Sequence, residues 1–480
     1  MLVVISDLHF VDETAGEHNL PVDAFRNVFL PNVVALARER QATEIVLLFL
    51  GDIPDLVRTQ QWFAEAVEDR PWGIRGLQDV PHPRPGSRTL QRCLKILGQM
   101  PDNDADPAGA DPRSILAKNW DTFAFFRQFE SIVTAALGRE LPVRLVYLPG
   151  NHDRMVNLYP ELRDELQRMM GLTVTPETVD GDPASGEWWY RYDFLAADYG
   201  VYVRHGHQFD PYNYAGDAAF TRPGHLQVPI GDLVATEFAT KLPYVLASLR
   251  DKYPAIDDRF IDSMKEGDNV RPISGLLEWF YYSMRQTDDP QLRLALDETF
   301  DRVITEFAAL TFVQQWHSDR TQLDYWLRAL SGGWLRWLPP LLLRLTSTEK
   351  VLRLALPFAG QVASSDAVVN EARDLYVQAA YGEPAWRQDP RLRYLLYGHT
   401  HTPTLHVLSA PPGRDVLYLN TGTWRSRIFR SVSFAEDVAF VKLQKATYVV
   451  FFNENEQQPG PASRPGTASF DVWTGHRHVS

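Results

Sequence analysis

The 480-residue chain predicts an α/β fold carrying a long helical insertion. Short runs rich in Val, Ile, Leu, Phe and Tyr recur along it, with the composition of strands buried on both faces. Each of five such runs is followed at once by a cluster of Asp, Asn or His. In open α/β sheets ligands sit beyond the carboxyl ends of strands, which is where these clusters fall.

Leu2 to Ile5 reads as the first strand and leads to Asp7-Leu8-His9. On an extended backbone, Asp-x-His sends both side chains to one side, so both reach one region. Glu44 to Leu50 reads as the second strand, ending in Gly51-Asp52-Ile53-Pro54-Asp55. The interval that follows is longer than a plain βαβ crossover needs, and predicts a helical insertion over about residues 57–140. Thr59 to Arg70, Thr89 to Met100 and Arg113 to Leu141 read as helices, separated by loops at Val80 to Gly86 and Pro101 to Pro112. His82 lies among prolines, outside any ligand spacing, and reads as a solvated loop residue. Cys93 falls on the helical apolar stripe Leu90, Cys93, Leu94, Leu97 and reads as core.

Val143 to Leu148 precedes Gly150-Asn151-His152-Asp153, Tyr202 to Val203 precedes His205-Gly206-His207, and Tyr394 to Leu396 precedes Gly398-His399-Thr400-His401. Between the last two clusters, residues 211–390 carry apolar positions at helical steps, as in Gln291 to Leu310 and Asp324 to Leu330. This stretch is expected to form a helical cap over the site, the alternative being a decoration that supports the fold or an oligomer contact. Within it, residues 333–359 mix Trp, Leu and Arg, which suits either peripheral membrane contact or packing into the cap or a dimer. Val416 to Leu419 reads as a strand leading to Asn420-Thr421-Gly422, and Ala439 to Leu443 with Thr447 to Phe452 reads as a hairpin. Residues 454–480 read as a flexible tail, because Asn453 to Ser469 is rich in Gly, Pro, Gln and Ser. The core is therefore expected over 1–210 and 391–453.

In their order (D-x-H, G-D-x-x-D, G-N-H-D, a lone His, G-H-x-H) the clusters resemble the calcineurin-like metallophosphoesterase superfamily. The resemblance implies a sandwich of two mixed sheets flanked by helices and a site for two divalent metal ions. Asp7, His9, Asp52 and His401 would hold one ion, and Asp52, Asn151, His205 and His399 the other, with Asp52 as the bridge. His152 matches the position that protonates the leaving group, and Asp153 stands beside it in the catalytic set. Asp153 and Asp55 also match positions that orient their neighbours. His-Gly-His-Gln-Phe-Asp at 205–210 is locally similar to the UDP-diacylglucosamine pyrophosphatase branch. Leu56, where the serine/threonine phosphatases carry Arg, departs from that branch.

The chemistry of these residue types agrees. A carboxylate shared by two cations about 3.5 to 4 Å apart lets them trap a bridging hydroxide and clamp both oxygens of an in-line displacement. Imidazole, carboxylate and amide ligands without thiolate suit Mn, Fe, Zn or Co, with Mn favoured. His207 is left either facing substrate or supporting the structure. Arg154 and Arg204 are left as phosphate contacts or ion pairs.

Composition narrows the function. With 48 basic and 61 acidic side chains the net charge is −13, which disfavours general binding to polyanions. A single cysteine excludes an intramolecular disulfide and a first strand at Leu2 leaves no room for a signal peptide, so a cytoplasmic location is expected. The expected activity is hydrolysis of a phosphate ester or phosphoanhydride of a phosphorylated small molecule, nucleotide-linked or lipid-linked. A nuclease or phosphodiesterase on nucleic acid and a non-catalytic metal-binding scaffold are the alternatives. The presence of all seven ligand positions and His152 weighs against the scaffold.

Overall fold

The computed structural model describes residues 1–16, 19–72, 86–101, 107–210, 212–216, 224–270, 279, 282–283, 287–318, 375–408, 415–430, 439–456 and 468–478. Its strands are β1 (Leu2–Ile5), β2 (Ile45–Leu50), β3 (Val143–Leu148), β4 (Val179–Asp182), β5 (Glu187–Tyr190), β6 (Asp193–Ala196) and β7 (Val201–Arg204). They continue with β8 (Tyr394–Tyr397), β9 (Thr404–Leu408), β10 (Val416–Asn420), β11 (Ser426–Arg430), β12 (Phe440–Phe452) and β13 (Ser469–His478). The architecture is mixed α/β. One sheet runs β1, β2 and β3 in parallel, with β12 antiparallel to β1 and both β11 and β13 antiparallel to β12. The second runs β6-β7-β8-β10-β9, parallel in its middle three strands and antiparallel at both edges.

Alternation along the strands sorts side chains into two cores. Leu2, Val4, Val46, Leu48, Val146 and Leu148 meet Val201, Val203, Tyr394, Leu396 and Leu419, so the two sheets stack on each other. Val3, Ile5, Leu47, Phe49 and Leu145 point the opposite way, onto Phe123, Phe126, Phe129, Leu162 and Leu166 from the helices. A one-residue slip of β1 or β2 would exchange the two sets. Because both sets are apolar, register rests on the ladder and on the loops at the strand ends.

The chain departs from expectation in three places. Ser469–His478, expected to be flexible, pairs with β12 from Phe452↔Ser469 to Leu443↔His478. Phe470 packs edge-on against Tyr394, and Trp473 stacks on Tyr448 at 5.2 Å, so the strand is anchored by aromatic contacts. The expected hairpin near 444–446 is instead one continuous strand, since Gln444, Lys445 and Ala446 supply no turn residue and pair on through β13. In the 57–140 insertion, Thr59 to Arg70 forms only two short 3₁₀ turns, Gln60–Ala64 and Val67–Asp69. Arg113 to Leu141 breaks into Ile115–Lys118, Trp120–Arg127 and Phe129–Leu137. At the first break, the Asn119 side chain donates to Ile115 O at 2.9 Å and competes with the helix ladder. Arg88–Leu97 is helical as expected, and Cys93 is fully buried in it.

The long insertion is helical where described. Ile230–Leu233, a π-helical segment Val234–Thr240 and Lys241–Ser248 form one continuous rod, followed by Asp258–Lys265, Pro290–Ala309 and Thr311–Ser318. Asp324 to Leu330, the stretch 333–359 and His82 lie outside the described residues. Among the described residues, no helix is long and apolar enough to cross a membrane. The rod docks through Thr236, whose hydroxyl donates to Val57 O at 2.9 Å, and through buried Glu237, which pairs with Arg70.

Candidate metal centre

All five clusters lie just past the carboxyl ends of parallel strands: β1, β2 and β3 in one sheet, β7 and β8 in the other. In three of the clusters the backbone is strained. Asp7, His9, Asp52, His399 and His401 adopt φ of 52°, 47°, 53°, 69° and 57°, and only Glu13 and Gln41 join them among the described non-glycine residues. Such conformations cost roughly 1–3 kcal/mol each and persist where the surroundings over-determine them. Here the first two loops are laced together by Asp7 N–H to Gly51 O (3.0 Å), His9 N–H to Asp52 O (2.9 Å) and Phe10 N–H to Ile53 O (2.8 Å). Gly51, at φ 72°, lets the second loop approach the fourth, since a Cβ there would stand 2.4 Å from His205 Nδ1.

Three ligand groups result: Asp52 belongs to two of them, and the third joins His9, Asp55 and His152. Asp7, His9, Asp52 and His401 bring one ligand atom each within 4.8 Å of one another, and Asp52, His205 and His399 do the same. Asp52 Oδ2 lies 3.6 Å from His9 Nε2 and 3.4 Å from His205 Nε2. His401 Nε2 stands 3.1 Å from His9 Nε2 and 3.2 Å from Asp7 Oδ1. The His205 ring donates from Nδ1 to Leu50 O at 2.9 Å, which leaves Nε2 facing Asp52. Asp7 Oδ1, Asn151 Oδ1 and His205 Nε2 are buried without a hydrogen-bond partner. Leaving such a group unsatisfied costs about 1–3 kcal/mol, and divalent cations would satisfy all three. The residues therefore fit bound metal, and the all-N/O donor set suits Mn, Fe, Zn or Co.

Electrostatics reinforce the fit. Burial, with the nearby Asp52 charge, pushes the Asp7 carboxyl up to about 7. Burial holds His9 down at about 4, so its imidazole is neutral and able to ligate. For Asp52 burial works the other way, but the His205 and His152 rings hold it well below the usual carboxylate range. His205 is lifted to about 9 against its own burial, because Asp52 faces it. In the metal-free protein a proton on His205 thus balances the Asp52 charge.

His152 is held differently from the ligands. Buried Asp55 accepts from His9 Nδ1 at 3.0 Å through Oδ2 and from His152 Nδ1 at 3.1 Å through Oδ1. This leaves His152 Nε2 unconstrained, on a side chain that is 12% exposed where that of His9 is 0%. Burial opposes the charge on His152, but Asp55 and Asp52 together raise its pKa. Asp153 does not share this position. Its Oδ1 accepts from Gly150 N–H (2.5 Å) and its Oδ2 from Ile53 N–H (3.0 Å), so it clamps two loops.

The two flanking arginines take the ion-pair alternative. Arg154 Nε lies 2.6 Å from Asp232 Oδ2 and its Nη2 donates to Pro71 O, while Arg204 Nε lies 3.3 Å from Glu383. His207 is buried with ring centroids 5.3 Å from His205, 5.9 Å from Tyr214 and 6.0 Å from Tyr192. Burial keeps it well below the usual histidine range, hence neutral. Asp210 and Asn213 escaped the sequence reading. Asp210 Oδ2 accepts from His399 Nε2 at 3.1 Å and from Asn213 Nδ2 at 2.7 Å. Burial opposes the Asp210 charge, but the His399 hydrogen bond holds its carboxyl below the usual range. Only the Asp ending His-Gly-His-Gln-Phe-Asp signalled it. No family model matches the chain, and no curated protein matches it.

Proposed function

We propose that the chain is a metallophosphoesterase of the calcineurin-like superfamily, using two divalent metals to hydrolyse a phosphate ester or phosphoanhydride. The observation that carries this reading is the pair of ligand groups meeting at Asp52 Oδ2, 3.6 Å from His9 Nε2 and 3.4 Å from His205 Nε2. The stacking of two mixed sheets, with every cluster past a parallel strand end, supports the sandwich fold of that superfamily.

Asp7, His9 and His401 would hold one ion, Asn151, His205 and His399 the other, and Asp52 both. Bound there, the cations would neutralise phosphoryl charge and lower the pKa of a water towards neutrality. The chain's own residues supply the rest. Asp55 fixes the Nδ1 proton of His152 and raises its basicity, so that a protonated His152 presents Nε2–H to the departing oxygen. Asp153 and Gly51 keep the loops in register so that proton donor and ligands share one geometry.

The acidic net charge favours a small phosphorylated substrate, nucleotide-linked or lipid-linked, over nucleic acid. The test is a screen of phosphomonoesters, phosphodiesters and nucleotide pyrophosphates with added Mn²⁺, against an EDTA-treated control. Metal-dependent turnover of one class supports the reading. Protein that carries two metals and hydrolyses none of them would favour a scaffold.

A further inference from the structure

A chain of hydrogen bonds joins two ligands that come from different sheets. Asn151 follows β3 and His399 follows β8, yet both lead to the Asp210–Asn213 turn. Asn151 Nδ2 donates to Asn213 Oδ1 (3.3 Å), Asn213 Nδ2 donates to Asp210 Oδ2 (2.7 Å), and the same oxygen accepts from His399 Nε2 (3.1 Å). The turn itself is closed by Tyr212 N–H to Asp210 Oδ1 (2.9 Å) and Asn213 N–H to Asp210 O (2.9 Å). Gly231 of the insertion packs against it so closely that a Cβ would stand 2.4 Å from Asn213 Oδ1.

The polarity of this chain has one source. A carboxylate only accepts, whereas an amide has a donating and an accepting end and a neutral imidazole has one nitrogen of each kind. Facing Asp210, Asn213 must present its NH₂, which turns its oxygen to Asn151. Asn151 must then present its own NH₂ to Asn213, and its Oδ1 is left pointing away, buried and without a partner. By the same rule His399 must carry its proton on Nε2, which leaves Nδ1 as the lone pair.

We propose that Asp210 is a positioning residue that sets both the amide orientation of Asn151 and the tautomer of His399, and so selects for metal at the Asn151–His205–His399 position. This rests on the metal reading above. Asp210 makes no comparable contact with Asp7, His9 or His401 among its described partners, so its influence falls on one position only. Asn213 carries one arm of the effect and His399 the other. Removal of such outer partners typically weakens metal binding by about 10- to 100-fold.

The experiment is calorimetric titration of metal-free protein with Mn²⁺, with metal content checked by elemental analysis. Wild type is expected to take up two equivalents. Asp210→Ala should keep the first and weaken the second by about 10- to 100-fold, and Asn213→Ala, which spares the His399 arm, should weaken it less. The melting temperature of each variant in EDTA should match that of wild type, which separates positioning from support of the fold. An unchanged second equivalent in Asp210→Ala overturns the assignment. So does an equal loss of both equivalents together with a lowered melting temperature in EDTA. Wild-type protein that takes up no Mn²⁺ overturns the metal reading and, with it, the role given to Asp210.

Discussion

Arg154 and Asp232 form a buried ion pair, 2.6 Å between Nε and Oδ2, that ties the residue following His152-Asp153 to the helix Ile230–Leu233 of the long insertion. Each side chain is only 3% exposed, so neither charge has water to fall back on. Removing one partner of such a pair typically costs about 3–5 kcal/mol, while replacing both by apolar groups is often neutral. Asp232→Ala should therefore destabilise the protein by about that amount. Arg154→Met combined with Asp232→Leu should recover most of the loss. Urea unfolding of the single and double variants in EDTA checks this, and a double variant as unstable as the single one would count against it.

The same pair marks what could be read from the sequence. The strands and ligand clusters were legible because a doubly buried strand writes itself as a continuous apolar run, as in Ile45–Leu50 or Val143–Leu148, and the metal-binding side chains follow at once. Asn213 and Asp232 were not legible, and Asp210 was signalled only as the end of His-Gly-His-Gln-Phe-Asp. They act through partners up to 189 positions away, as in His399 to Asp210, and nothing local sets Asn213 or Asp232 apart from ordinary polar residues. β13 was hidden for another reason: a Gly- and Pro-rich stretch precedes it, although Phe470, Val472 and Thr474 alternate with Asp471, Trp473 and Gly475 in a strand that Trp473 then anchors on Tyr448.

Asp52 should matter to both metals where its neighbours matter to one. Asp52→Asn keeps the size but replaces one carboxylate oxygen with a donor, so it should lower Mn²⁺ uptake at both positions and abolish most hydrolysis. His401→Ala should weaken chiefly the position it shares with Asp7 and His9. Metal content after gel filtration reads the difference. Two tightly held metals and full activity in Asp52→Asn would remove its bridging role.

Stability should fall with acid partly through His225. This ring is 5% exposed, stacks on Tyr192 and contacts its hydroxyl at 3.2 Å. Burial, helped by Arg163 and Arg154, lowers its pKa from 6.5 to about 3. Between these values the unfolded chain binds a proton that the folded chain does not, so its contribution is intact above about pH 6.5 and declines as pH falls towards 3, by up to about 1.4 kcal/mol per pH unit. His225→Phe should flatten that part of the stability–pH curve. An unaltered slope between about pH 6 and pH 4 would show that His225 is not a source of it, with urea midpoints at each pH as the measurement.

His152 should act on the leaving group without holding metal. Its Nδ1 is committed to Asp55, which leaves Nε2 as the other ring nitrogen, and its side chain is more exposed than that of His9. General acid catalysis contributes typically about 10²- to 10⁴-fold, and its benefit shrinks when the departing oxygen is already a weak base. His152→Ala should keep both metals, lose much of its turnover on alkyl phosphates and lose less on p-nitrophenyl substrates. Asp55→Asn should reproduce part of this pattern, because an amide no longer raises the His152 pKa, and should also disturb His9, whose Nδ1 it holds. Turnover of both variants on the two substrate types, under conditions where the chemical step limits, reads the effect. An equal loss on both types would assign His152 to positioning the phosphate instead.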